Sequence, residues 1–224
     1  MLTVRRPLAV ALALVAGVAP AAAQNLVQNG GFESPFITGN VTLSGCPAAF
    51  VWCVGQGNVD LIQSFWQPGE GRQSIDLNGT AEGSLFQDLV TTPGELYDIS
   101  FLVSGHPEGD PTKTMELFWG ETDLGSFTWT VGPDQSLSDM LWSRLIIRNI
   151  LATSTTTRLE FRSTTTSLCG SVPEPACGFA LDGVGVVEVS GVPEPATLLL
   201  VGGGLLALGG VVRRRRPDPG RVNG

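Results

Sequence analysis

The sequence predicts an all-β sandwich held between two basic, apolar end segments. Three observations lead there. Apolar residues alternate with polar ones over several short runs, the pattern of a half-buried strand. Turn-forming pairs recur between those runs: Asn29-Gly30-Gly31, Pro68-Gly69, Asn78-Gly79, Pro93-Gly94 and Gly132-Pro133-Asp134. The composition agrees: of 224 residues 29 are Gly and 15 Pro, and only 15% are charged, which excludes a coiled coil. At 42% hydrophobic the chain is too apolar to be wholly disordered. Its net charge of −8 argues against nucleic acid as a partner, since phosphate binding requires a basic face.

The N-terminus, residues 1–23, reads as a signal peptide. Arg5 and Arg6 precede an apolar run from Pro7 to Pro20, and Ala21-Ala22-Ala23 supply the small residues of a cleavage site before Gln24. Pro7-Leu8-Ala9 after the arginine pair is a poor match to the twin-arginine route, so general secretion is expected.

Residues 24–191 form the body. Tyr97, Ile99, Phe101 and Val103 share one face of a strand, as do Met115, Leu117 and Trp119. Leu159 and Phe161 alternate with Arg158, Glu160 and Arg162. A Val-rich strand with Val184, Val186 and Val189 closes the domain. Short strands at this spacing imply a sandwich with one continuous core. Four cysteines in an exported chain read as two disulfides. Three pairings are open; locality favours Cys46–Cys53 and Cys169–Cys177. Zinc is disfavoured, because no CxxC pair is present.

The tail begins with Val192, Pro193, Glu194 and Pro195. An uncharged stretch over residues 196–212 follows, then Arg213, Arg214, Arg215 and Arg216, then residues 217–224. About 17 apolar residues is the lower limit for a membrane-spanning helix. The arginines hold the C-terminus in the cytoplasm and the body outside. Three parts in this order closely resemble the PEP-CTERM sorting signal. That resemblance implies export by a Gram-negative bacterium that makes exopolysaccharide. It also implies transient anchoring in the inner membrane, cleavage near Pro193-Glu194-Pro195 by the membrane-embedded enzyme exosortase, and delivery to the cell surface or medium. Val172-Pro173-Glu174-Pro175-Ala176 repeats the five letters, but Cys177-Gly178-Phe179 follows in place of a span. This copy is expected to be a loop that is not processed.

The body also carries a recognisable order of segments: Asn25-Leu26-Val27-Gln28-Asn29-Gly30-Gly31-Phe32-Glu33, Val59-Asp60-Leu61, Ile75-Asp76-Leu77-Asn78-Gly79, and Gly178-Phe179-Ala180-Leu181-Asp182-Gly183-Val184. It resembles the choice-of-anchor C family, which is similar to the DUF642 proteins of plant cell walls. The resemblance implies a galactose-binding-like jelly-roll β-sandwich, an architecture shared with many carbohydrate-binding modules. The closing motif departs at Gly183, where the family often has a second Asp or Asn.

Three kinds of chemistry are open to such a body. In related jelly rolls a structural calcium joins the first and last strands, and the matching residues here are Glu33 and Asp182. The competing reading makes Glu33 a turn cap and Asp182 the start of a turn. Glycan binding calls for an aromatic platform. Trp66, before Gln67-Pro68-Gly69, and Trp52, between paired cysteines, are the candidates, with Asp60, Asp76 and Asn78 as polar partners in the family pattern. Both Trp filling the sandwich ends is the alternative. Catalysis has the weakest support. Gly-x-Ser-x-Gly, His-Glu-x-x-His and phosphate-loop motifs are absent, and the single His106 lies in a turn. A glycosidase needs only two carboxylates, and acids are too abundant here to single out a pair. The expected protein is a non-catalytic, glycan-binding surface or matrix component.

Overall fold

The computed structural model describes residues 24–166, 168–169 and 175–189. The signal peptide, residues 173–174 of the upstream Pro-Glu-Pro copy, the sorting motif and its apolar span lie outside them. Among the described residues no helix is long and apolar enough to cross a membrane.

Eleven strands build two antiparallel sheets. In chain order they are β1 (Asn40–Leu43), β2 (Cys53–Val54), β3 (Val59–Ile62), β4 (Ser74–Asp76), β5 (Ser84–Val90), β6 (Leu96–Gly105), β7 (Thr112–Trp119), β8 (Thr122–Thr130), β9 (Ser143–Leu151), β10 (Thr156–Ser163) and β11 (Phe179–Glu188). One sheet has the order β1-β3-β4-β11-β6-β9, the other β2-β5-β10-β7-β8. Chain neighbours such as β4 and β5 lie in different sheets, so the sheets are laced together by the connections between them.

The expected alternation sets the packing. Tyr97, Ile99, Phe101 and Val103 of β6 face inward, as do Met115, Leu117 and Trp119 of β7 and Leu159 and Phe161 of β10. Phe101 and Phe161 meet across the sandwich with ring centroids 5.1 Å apart, and Trp52 extends the cluster to Phe32 at 5.6 Å. These contacts join both sheets to the N-terminal segment. The disulfides pair as locality suggests, Cys46 with Cys53 and Cys169 with Cys177.

Strand β11 is bulged between Asp182 and Gly185. Gly183 takes a φ of +54° there, in the left-handed region. Gly enters that region freely, and Asn and Asp are the residues next best suited to it. The bulge therefore explains the departure at Gly183: the position selects for backbone conformation, and a Cβ would meet the Glu70 carboxyl at 3.0 Å. The extra residue returns Val184 to the core phase after Leu181.

A long loop, residues 63–73, joins β3 to β4 across the outer face of the six-stranded sheet. Glu33 and Asp182 pin it. The Gly69 and Glu70 amides donate to Asp182 Oδ2 at 2.9 and 2.8 Å, and the Gly183 amide to Oδ1 at 2.7 Å. Glu33 Oε1 accepts from the Arg72 and Gln73 amides at 2.6 and 2.9 Å. Both carboxylates accept backbone amides here, the turn-capping roles given above as the competing reading. Burial, aided by the nearby Glu70 carboxylate, raises Asp182 to about 7 against the pull of its three amides.

Asp182→Ala leaves three amides without an acceptor and should cost about 2–4 kcal/mol in chemical denaturation. Asp182 binds its proton more tightly folded than unfolded. Its stabilising contribution is therefore full below about pH 4 and is lost as pH rises through about 7. Asp182→Asn should remove this part of the pH slope; equal slopes for the two proteins between pH 4 and 7 would contradict the assignment.

Candidate ligand-binding face

The aromatic platforms expected from sequence are buried. Trp52 has no exposed surface, and its indole N–H donates to the Asn29 carbonyl at 3.0 Å. The preceding disulfide-closed loop turns it into the core, where it packs on Phe32 and Phe161. Trp66 is 4% exposed and anchors a second apolar cluster with Ile62, Met140 and Ala180. Its N–H donates to Ser74 Oγ at 2.7 Å. Both fill space under loops, the competing reading given above, because burial of so large a ring outweighs anything its loop gains by exposing it.

The three polar partners do come together, but as internal clamps. Asp60 and Asp76 lie opposite each other on β3 and β4. Asp76 is buried and accepts from the Asn78 and Gly178 amides at 2.9 and 3.0 Å. Burial pushes its carboxyl well above the usual range, and Asp60 is raised by the same cause. The Asn78 side-chain amide donates to the Thr165 and Pro175 carbonyls at 2.9 and 2.7 Å, and its oxygen accepts from Ser163 Oγ. Asp76 and Asn78 thus fasten the β10–β11 connection to the sheet, while Asp60 accepts from the Thr42 hydroxyl on β1 at 2.6 Å.

The open face lies on the other sheet. On β5, β10 and β7 the residues out of phase with the core point outward. Glu160 of β10 stands opposite both Phe86 of β5 and Phe118 of β7, so aromatic, acid and aromatic form one row. Neighbouring strands are about 4.8 Å apart, which sets the two rings roughly 10 Å apart. Each ring carries a guanidinium: Arg158 lies 3.6 Å over the centre of Phe86, Arg162 4.5 Å over Phe118. Arg158 is held by both oxygens of Asp88, at 2.8 and 2.9 Å, which keeps that carboxyl below its ordinary value. Arg162 reaches Glu160 at 3.3 Å.

Two buried polar side-chain atoms among the described residues lack a hydrogen-bond partner, Ser84 Oγ and Arg162 Nε. Ser84 and Arg162 are cross-strand partners on this same face. A groove of about 470 Å³ runs along its edge, lined in part by Gln24, Asn25, Gln28, Phe86 and Asp88. It opens because β2 covers only Leu85 and Phe86 of the seven-residue β5. The arrangement presents fixed donors, acceptors and apolar ring edges on a rigid surface, and it lacks the cluster of ligands a metal requires. One sequence signal points to it: Phe86 and Phe118 fall on the polar phase of their strands.

The chain is similar to several known proteins. Halomucin of Haloquadratum walsbyi is 31% identical over 193 residues, covering 80% of this chain; the chain spans 2% of halomucin's length. TmCBM61, solved with β-1,4-galactotriose, aligns with 74% of this chain and 99% of its own at 15% identity and a TM-score of 0.46. The CBM22-1 xylan-binding domain of Paenibacillus barcinonensis Xyn10C gives 78%, 100%, 16% and 0.44. The Stig cyclase Fisc of Fischerella sp. TAU gives 75%, 98%, 15% and 0.48. Residues 191–216 match the PEP-CTERM protein-sorting motif, the mark of an exported, surface-sorted protein. The model of DUF642, a protein family of unknown function, matches residues 25–187, and this chain belongs to that family.

Proposed function

We propose that this protein is a non-catalytic glycan-binding component of the cell surface or exopolysaccharide matrix, with a galactose-binding-like jelly roll as its binding body. The observation that carries the reading is the row Phe86–Glu160–Phe118 with its two stacked arginines. Sugars present hydroxyls on an apolar frame, and this face offers hydrogen-bonding groups fixed beside apolar ring edges. Opposite charges are interleaved over the face, which favours a neutral glycan over a polyanion. Export runs through the signal peptide, and exosortase acts at Pro193-Glu194-Pro195.

A glycan array probed with the full chain in detergent tests the binding role. Saturable binding without released fragments is expected. Phe118→Ala and Arg162→Ala should each weaken binding about tenfold or more. Because both residues lie outside the core, their melting temperatures should stay close to that of the parent. Trp52→Ala is the contrasting control: it should cost about 3–5 kcal/mol of stability. Binding that survives both face variants would remove the site, and fragment release would replace binding with catalysis.

Sorting is tested separately. Replacing Pro193, Glu194 and Pro195 by Ala should leave an uncut, membrane-retained form, and loss of exosortase should do the same. Alanine at positions 173–175 should leave sorting intact, since the Pro175 contact to Asn78 is made by a backbone carbonyl. Mass spectrometry of the released protein is the measurement. A mature form still carrying residues 198–216 would show that the tail is a plain anchor.

A further inference from the structure

The second disulfide does not stand alone. The β6–β7 loop, residues 106–111, lies against it. Gly109 sits close enough that a Cβ would come within 3.2 Å of Cys177 Cβ and 3.4 Å of Cys169 Cα. The His106 amide donates to the Gly178 carbonyl at 3.0 Å. This places potential ligand atoms of His106, Glu108, Cys169 and Cys177 all within 4.8 Å of one another. Two sulfurs, one imidazole nitrogen and one carboxylate oxygen are a four-coordinate set suited to zinc.

The imidazole is prepared for this. His106 is 5% exposed, walled by Phe65 and Trp66 with ring centroids at 5.4 and 5.2 Å. Its Nδ1 accepts from the Glu108 amide at 3.1 Å. That bond puts the ring proton on Nε2 and leaves Nδ1 as the basic nitrogen. Lys113 is itself buried and donates to the Glu108 carbonyl at 2.8 Å. Two thiolates and one carboxylate around a divalent cation leave one negative charge, and the Lys113 ammonium is placed to balance it.

We propose that His106, Glu108, Cys169 and Cys177 form a redox-gated site for zinc or a similar thiophilic divalent cation, closed in the disulfide form and open in the dithiol form. Opening requires a dithiol reductant. Its two electrons break the Cys169–Cys177 bond, its two protons pass to the cysteine sulfurs, and it leaves as a disulfide. The metal then displaces both thiol protons to solvent, and Nδ1 exchanges the Glu108 amide for the metal. Chain spacing conceals this set, because 63 residues separate His106 from Cys169 and only the fold joins them.

Cobalt titration of the full chain in detergent tests the proposal, before and after reduction with a metal-free phosphine in place of the dithiol. The reduced chain should bind one cobalt with the near-ultraviolet charge-transfer band of thiolate ligation, and zinc should displace it. The oxidised chain should show no such band. Cys169→Ser with Cys177→Ser should abolish the band although Cys46 and Cys53 remain. His106→Ala should weaken binding roughly tenfold or more. If reduction loosens the fold, zinc should restore the near-ultraviolet circular dichroism. Absence of both the band and the recovery would overturn the site. So would a band that persists in the double serine variant, or unchanged affinity in His106→Ala.

Discussion

A loop laid across a sheet face turns its backbone amides toward that face, and here carboxylates accept them. Asp182 alone accepts three amide hydrogens, two from the β3–β4 loop and one from its own bulge. Glu33 takes the Arg72 and Gln73 amides further along the same loop. Gln73 completes the hold: its side-chain amide donates to the Phe32 and Pro35 carbonyls, and its oxygen accepts from the Ile37 amide. The N-terminal segment, the loop and the last strand are thereby one unit. Trp66 can fill the space beneath the loop only while those bonds hold the loop down. An amide left unpaired in such a place costs as much as several surface contacts contribute.

The fold was legible because period-two alternation reports directly on which side of a strand meets the core. Each run with a clear alternation, on β6, β7 and β10, is a strand with the expected face buried. The bulge at Gly183 was visible as a departure, yet its meaning needed the φ angle. The binding residues were far less legible. Asp60, Asp76, Asn78, Glu33 and Asp182 belong to recognisable segments, which drew them into a functional reading. In this fold Glu33, Asp76 and Asp182 each match particular amides and Asn78 particular carbonyls, a geometric demand as strict as that of a ligand. Trp52 and Trp66 misled for a related reason: position in a loop says nothing about whether that loop folds back on the core. Phe86 and Phe118 carried a real signal as aromatic residues on a polar phase. What they pair with, Arg158 and Arg162, depends on strand order and register, which a single chain does not display.

The division of labour between the two sheets follows from this. The six-stranded sheet has its outer face covered by the β3–β4 loop over β4 and β11, where Asp182 fastens it, and leaves that face open toward β9. The five-stranded sheet keeps its outer face open, and its charges are arranged across strands rather than beneath loops. A rigid sheet gives such a face little freedom to reorganise, so the entropic cost of ordering side chains on contact is small. The stacked guanidinium groups are already fixed, at one end by a ring and at the other by a carboxylate.

The hold of Asn78 on the Pro175 carbonyl reaches beyond the body of the domain. Proteases that work on folded substrates need several residues of slack chain, and the cost of freeing them is the local opening free energy. From the last residue of the upstream Pro-Glu-Pro onward, the chain is bound at Pro175 by Asn78, just after β4, and at Gly178 by Asp76 of β4. Cys177 between them is cross-linked back to Cys169. Pulling this stretch into an extended substrate would require breaking into the six-stranded sheet. Any protease that needs this stretch extended therefore meets a cost set by attachment to the fold rather than by the local sequence.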